Sequence, residues 1–194
     1  MNKNKKIYKI IGATVAAIMI AGVMAPPTIG MFSSQPQMAY KEHLDELKVA
    51  LEEDPNDYTK ILELASLKVD AASYYISQED YNNAEDYLHK ALSNYQTALE
   101  INDEDKINIL IEKSFIYHEL GEVEKSEETI SNAYSLQPEN PEVLHSYAII
   151  LLNMGKYESA QKHFVKLSEH EQLSEEERQT FSEYVDIIED VLQK

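Results

Sequence analysis

The stretch that decides the fold is GEVEKSEETISNAYSLQPEN, residues 121–140, which begins with a glycine and ends in a turn that contains Pro138. The chain has five glycines, and only Gly121 and Gly155, 34 residues apart, lie beyond residue 30. Apolar side chains on both sides of each glycine follow a helical period. A sharp turn between two helices requires a residue that tolerates a positive φ, and glycine does so with the least strain. The sequence therefore predicts two helix–turn–helix units with a glycine at each joint.

A shift of the chain by 34 residues aligns side chains of similar character at spaced positions. The aligned pairs are Leu110 with Leu144, Ile116 with Ile150, Leu120 with Met154, Ser126 with Ala160, Ile130 with Phe164, and Ala133 with Leu167. Ser126 and Ala160 are small, which predicts that the second helix of each unit presses on the first at these positions.

A helix–turn–helix period of 34 residues resembles the tetratricopeptide repeat. The residues that carry the resemblance are Leu110, Tyr117, Gly121, Ser126, Ile130, Ala133 and Pro138, and then Leu144, Leu151, Gly155, Tyr157, Ala160 and Phe164. The second unit departs from the family at Leu167, where alanine is usual, and it lacks the closing proline. The resemblance implies an all-α fold in which antiparallel helix pairs stack as a short superhelix.

The same helical pattern extends irregularly towards the N-terminus and continues to the end of the chain. We expect a half-repeat helix in residues 39–57, an extended pair with longer helices in 58–105, repeat units in 106–140 and 141–173, and a capping helix in 174–194. The expected helices are residues 39–53, 58–77, 80–101, 106–120, 122–135, 141–154, 156–169 and 174–192. Ser174 and Glu177 form a capping box at the start of the last helix. Its apolar stripe suits the end of a repeat stack, and a dimerisation helix is the alternative.

The first 38 residues differ from the rest in composition. Residues 1–9 are basic, and the 23 residues of 10–32 carry no charge, which is long enough to cross a bilayer as a helix. Residues 33–38 complete a polar, proline-containing linker. We expect a signal-anchor, with the N-terminus in the cytoplasm and the repeats outside the cytoplasmic membrane. The alternative is a signal peptide cleaved near Ala25, which would leave a secreted or periplasmic protein.

The charge of the chain limits the classes of partner. Lys and Arg total 17 and Asp and Glu total 35, and no acid precedes Glu42. An acidic surface repels phosphate backbones, so nucleic-acid binding is not expected. The negative net charge either keeps the protein soluble or attracts a basic partner.

The residues that usually carry chemistry are missing or scattered. The chain has no cysteine, and its six histidines lack the spacing of a helical metal site. We therefore expect no catalytic, metal-binding or cofactor-binding residue, and no enzymatic activity.

The resemblance also implies a binding surface, because the first helices of successive tetratricopeptide pairs line a concave groove that holds peptides or helices. Residues spaced by three, four and three positions should lie on the side of each first helix away from its packing stripe, and these are the candidate groove residues. They are Asn108, Ile111, Phe115 and His118 in one unit, and Glu142, His145, Ile149 and Leu152 in the next. Four of them would form an apolar floor, unless neighbouring helices cover that floor as core.

The set contains no basic residue, so an apolar or basic segment is the expected ligand. The expected function is a membrane-tethered scaffold that captures a protein partner. A cleaved assembly subunit of an envelope-biogenesis complex is the alternative.

Overall fold

The computed structural model describes residues 36–193, and this part of the chain forms eight α-helices and no strand. The helices are α1 Pro36–Glu53, α2 Tyr58–Ser77, α3 Tyr81–Ile101, α4 Lys106–Glu119, α5 Val123–Leu136, α6 Pro141–Asn153, α7 Tyr157–Ser168 and α8 Glu175–Leu192. The expected all-α repeat fold is therefore confirmed. Helix α1 begins three residues earlier than expected, with a proline in its first turn, where the missing N–H has no helical partner to lose.

The predicted basic flank 1–9 and membrane segment 10–32 lie outside the described residues, as does most of the linker 33–38. Within residues 36–193, no helix is both long enough and apolar enough to cross a membrane.

Side chains that accept hydrogen bonds set the starts of four helices. Asp57, Asp80 and Asn140 accept from backbone N–H groups in the first turns of α2, α3 and α6. At α8, Ser174 and Glu177 form the predicted capping box. These contacts satisfy donors that have no partner within the helix, so the helix starts are fixed locally.

The three joints α2–α3, α4–α5 and α6–α7 have one geometry. Each contains a residue with positive φ: Glu79 at 60°, Gly121 at 73° and Gly155 at 73°. The residue after each donates its backbone N–H to a carbonyl five positions earlier, at 2.8–3.0 Å; the pairs are Asp80 to Tyr75, Glu122 to Tyr117, and Lys156 to Leu151. The predicted role of the two glycines is thus confirmed, and Glu79 is an exception that the sequence pattern did not reveal.

The helices of each pair approach closely where the side chains are small. Ser126 and Ala160 are completely buried. The Ser126 hydroxyl donates to the backbone carbonyl of Ser114 on α4 at 2.8 Å, which satisfies a buried polar group. The small residues therefore mark the tight contact between first and second helices, as predicted.

Apolar clusters connect each pair to the next. Ile61, Leu88, Tyr95 and Ile109 belong to a core shared by α2, α3 and α4. A second core joins α4, α5 and α6; its members include Leu110, Ile130, Val143 and Ile150. Leu44 and Leu47 of α1 pack with Leu64 and Leu67 of α2. Each unit thus buries apolar surface on its neighbour, as in a stack of repeats.

Helix α8 packs on the last repeat through aromatic side chains. The ring of Tyr184 stacks on Phe164 with centroids 4.9 Å apart, and Phe181 lies 6.2 Å from the same ring. Ile188, one turn after Tyr184, is buried. This is the packing expected of an end helix that covers one side of the final pair.

Candidate protein-binding surface

The expected binding residues lie on the first helices of the last two pairs. We call this surface the first-helix face and define it by Asn108, Ile111, Phe115 and His118 on α4 and by His145, Ile149 and Leu152 on α6. Residues three and four positions apart share one side of a helix, so each set lies on one side of its own helix.

The expected apolar floor of this face is largely core. Ile111, Ile149 and Leu152 have only 5%, 2% and 9% of their surface exposed. Ile111 belongs to the cluster that joins α4, α5 and α6, and the half-buried Phe115 packs against the same cluster. For Ile149 the burial therefore supports the alternative in which neighbouring helices cover the floor as core.

Asn108, Phe115 and His118 retain partial exposure on α4. These three side chains are the members of the set on α4 that still present surface to a partner. Their contact with a partner stays a prediction.

His145 faces the end helix. Its ring lies 5.2 Å from that of Phe181 and 6.3 Å from that of Phe164. Burial lowers the pKa of His145 to about 4, so its imidazole is neutral at pH 7. It serves the packing of α8 on the last pair.

Three acids on the first helices have raised pKa values: Asp70 on α2, Glu112 on α4 and Glu142 on α6. Loss of hydration raises the pKa of all three, and that of Glu112 reaches about 7 because the charges of Glu142 and Asp70 add to the effect. Within residues 36–193, none of the three side chains makes an ion pair. We call this set the carboxylate trio.

The charges of the trio members on α2 and α4 also act on a buried tyrosine. The pKa of Tyr95 on α3 is raised well above its ordinary value by burial, with further contributions from the charges of Glu112 and Asp70. Its phenol therefore lies within the field of both carboxylates, where an additional negative charge is unfavourable.

Two members of the trio, Glu112 and Glu142, lie beside the first-helix face. Glu142 is 34 residues after Asn108 and takes the same place in the next unit, and Glu112 is one helical turn after Asn108. Two partly buried carboxylates, Glu112 and Glu142, thus stand beside the candidate residues, whereas Asp70 on α2 is exposed.

Sequence reasoning identified Glu142 as a candidate and missed Asp70 and Glu112. The spacing of three, four and three residues does not include position 112, and it selects residues on α4 and α6 but none on the longer helix α2. A usable signal was present, since each of the missed acids adjoins apolar or small residues, in VDAA (69–72) and LIE (110–112).

The trio is not arranged to hold a metal ion. Throughout the part of the chain that the structure describes, no three His, Asp or Glu side chains are grouped as metal ligands. The chemistry that three unpaired carboxylates do offer is attraction of an organic cation, such as a lysine or arginine side chain.

Two family models with the description tetratricopeptide repeat match the sequence. One matches residues 65–98 and 107–140, and the other matches residues 130–162. Tetratricopeptide repeats bind protein or peptide partners and are generally non-enzymatic. No curated protein matches the sequence.

Solved structures share the fold at low sequence identity. A tetratricopeptide repeat protein from Parabacteroides merdae is 18% identical, with a TM-score of 0.56 over 96% of this chain, which spans 60% of that protein's length. The MamA RS-1 double mutant is 9% identical, with a TM-score of 0.52 over 100% of this chain and 96% of that one. A thermophilic TPR protein from Thermus thermophilus is 17% identical, with a TM-score of 0.47 over 93% and 98% of the two chains.

The eight helices, the recurrent joint geometry and the matched family models agree with one another. The chain carries tetratricopeptide repeats.

Proposed function

We propose that this protein is a non-enzymatic interaction scaffold, tethered to the cytoplasmic membrane by residues 10–32, whose first-helix face captures a basic segment of a partner protein. The observation that carries the proposal is the carboxylate trio of Asp70, Glu112 and Glu142, which has no ion-pair partner among the described residues and raised pKa values.

Electrostatics favours a basic ligand over an apolar one. Like charges that lose water repel one another, and a nearby cation removes that repulsion. Glu112, with a pKa of about 7, is close to half protonated at neutral pH. A lysine or arginine placed beside it would shift it to the ionised form and gain a charge-assisted hydrogen bond. Burial of Ile111, Ile149 and Leu152 leaves little aliphatic surface for a purely apolar ligand.

The side chains next to Glu112 on α4 suit a peptide. Phe115 follows Glu112 by about one helical turn and is half-buried, so its ring edge can contact the aliphatic stem of a lysine. Asn108 lies one turn before Glu112 and offers both a donor and an acceptor for a peptide backbone.

The membrane tether rests on the sequence of residues 1–32. Lysines flank one end of an uncharged stretch long enough for a bilayer, which favours an N-terminus in the cytoplasm. The scaffold would then present its repeats outside the cytoplasmic membrane. Cleavage near Ala25 would instead release the same scaffold.

The test is a comparison of captured partners. Full-length protein and the variant Glu112→Gln/Glu142→Gln are purified from the native membrane after cross-linking, and bound proteins are quantified by mass spectrometry. The variant is expected to lose at least one partner that the wild type enriches. The exposed Glu128 on α5 provides the matched control, and Glu128→Gln is expected to retain every partner. Identical partner sets for all three proteins would exclude the first-helix face as the binding surface.

A further inference from the structure

A cleft of about 570 Å³ lies between the second helices α5 and α7, with α6 as its floor. Tyr134 of α5 and Tyr147 of α6 line it. Glu127 of α5 and Leu151 of α6 also line it, together with five residues of α7 and its preceding turn, namely Lys156, Ser159, Lys162, His163 and Lys166. We call it the α5–α7 cleft.

The cleft lies away from the first-helix face. Its floor residues Tyr147 and Leu151 are roughly half a turn around α6 from Ile149 and Glu142, at about 100° per residue. A ligand in the cleft therefore meets side chains other than those of the carboxylate trio.

The cleft concentrates positive charge in an acidic protein. The whole chain has 17 basic residues and a net charge of −18, and three of its lysines line this one cleft. Lys156 pairs with Glu127 at 2.5 Å, and Lys166 contacts Glu139 at 3.3 Å. Lys162 is exposed and makes no ion pair with any described residue.

Aromatic rings form an apolar wall beside these lysines. The His163 ring lies 5.1 Å from that of Tyr134 and 4.7 Å from that of Tyr147. Lys166 Nζ also donates to the Tyr134 hydroxyl at 3.2 Å. The His163 Nδ1 atom is buried and has no hydrogen-bond partner among the residues that the structure describes. A buried polar atom without a partner is rare, and a bound ligand can satisfy it.

We propose that the α5–α7 cleft binds an acidic peptide segment, with a carboxylate of the segment between Lys162 and Lys166 and an apolar side chain of the segment against Tyr134 and Tyr147. Charge complementarity favours a carboxylate at this position, because Lys162 has no ion-pair partner within residues 36–193. Lys166 is held at the cleft by exposed contacts that a ligand can replace.

The dimensions of the cleft favour a peptide over a free anion. Its lining on α7 runs from Lys156 to Lys166, which is about 15 Å along a helix axis. An extended peptide of about four or five residues has this length. A phosphate ion would occupy a small part of it and would find no arginine fork, because the single arginine of the chain, Arg178, is on α8.

Fluorescence anisotropy of a rhodamine-labelled peptide, Glu-Glu-Phe-Glu-Glu, tests the proposal with the full-length protein in detergent. We expect saturable binding that Lys162→Glu weakens by about tenfold or more, corresponding to about 1.4 kcal/mol. Lys125→Glu is the matched control, because Lys125 is an exposed lysine on α5 outside the cleft, and it should leave the dissociation constant unchanged. Melting curves of both variants should match the wild type, since both sites are exposed.

Two further arms separate the sources of binding. The peptide Gln-Gln-Phe-Gln-Gln should fail to bind, and inorganic phosphate should fail to displace the acidic peptide at matched ionic strength. Absence of acidic-peptide binding, equal loss in Lys125→Glu, equal binding of the Gln peptide, or displacement by phosphate would each overturn the proposal. Glu112→Gln should leave binding of the acidic peptide intact. A failure of the cleft proposal can therefore be distinguished from a failure of the proposal for the first-helix face.

Discussion

Glu79 and Gly121 occupy the same place in two helix joints, with backbone φ angles of 60° and 73°. Each is followed by a residue whose N–H reaches the carbonyl five positions back, Asp80 to Tyr75 and Glu122 to Tyr117. A side chain with a Cβ is strained at such φ values, whereas glycine is not. The first joint therefore has the backbone of a glycine joint without the glycine.

Replacement of Glu79 by glycine should stabilise the protein. We expect Glu79→Gly to raise the free energy of unfolding by about 0.5–1 kcal/mol, because relief of the strained φ exceeds the added entropy of the unfolded chain. For a domain of this size, the melting temperature should rise by about 1–4 °C. Thermal unfolding followed by circular dichroism measures it.

Two variants separate backbone strain from other effects. Glu79→Ala removes the charge and keeps the Cβ, so it should not stabilise as glycine does. Gly121→Ala should destabilise by about 1 kcal/mol through φ alone, since no atom lies within 4 Å of the added Cβ. Equal melting temperatures for Glu79→Gly and Glu79→Ala would refute the strain argument.

The sequence was sufficient to predict the helices because many of their boundaries have a local cause. Ser174 and Glu177 form their capping box within one turn, and Gly121 and Gly155 are recognisable as residues that tolerate positive φ. The positive φ of Glu79 was not predicted, because no sequence pattern distinguishes a glutamate with that backbone conformation from any other. Local chemistry thus predicted the elements, while their exceptions depend on tertiary packing.

Exposure on the first-helix face could not be predicted in the same way. Helical periodicity places Ile149 correctly on its side of α6, yet its burial depends on how closely the neighbouring helices approach. The raised pKa of Glu112 likewise depends on its burial and, to a smaller extent, on acids from two other helices. The burial of Ile149 and the raised pKa of Glu112 both depend on contacts between helices, which the periodicity of a single helix does not reveal.

Aspartate at Ile149 should unfold the last repeat. Ile149 is 2% exposed, so an unpaired charge there loses its hydration and should cost several kcal/mol, about 3 kcal/mol or more. Ala160→Asp, at the tight contact between α6 and α7, should have a comparable effect. Chemical denaturation monitored by circular dichroism gives the free energies.

The half-buried Phe115 is the comparison for that experiment. Phe115→Asp should cost less than Ile149→Asp, because part of its surface already faces solvent. A variant Ile149→Asp with the stability of the wild type would show that the side of α6 bearing Ile149 is open in solution.

The proposed membrane topology predicts different accessibility at the two ends of residues 1–38. A cysteine at Ser34 should react with a membrane-impermeant thiol reagent on intact cells, and a cysteine at Asn2 should react only after lysis. The native chain has no cysteine, so the background is low. The reverse pattern would overturn the proposed orientation, and a mature N-terminus near residue 26 would establish cleavage instead.

The stability of Glu112→Gln relative to the wild type should increase with pH. Glu112 has a pKa of about 7 in the folded protein, against an ordinary value of 4.5. The folded state therefore binds its proton more tightly than the unfolded state does. The stability associated with this proton is fully present below about pH 4.5 and is lost as the pH rises through 7. Glutamine keeps the shape of the side chain and cannot ionise.

The difference between the two unfolding free energies isolates this group. It should grow between pH 5 and pH 8 by on the order of 2 kcal/mol in favour of Glu112→Gln. His145, with a pKa of about 4, has the opposite dependence, since its burial as a neutral ring destabilises the fold below about pH 6.5, but this contribution is common to both proteins and cancels. Urea denaturation at intervals of pH provides the measurement, with Glu128→Gln as an exposed control whose difference should stay flat. A flat difference for Glu112→Gln as well would mean that Glu112 is solvated and that the carboxylate trio does not repel itself in solution.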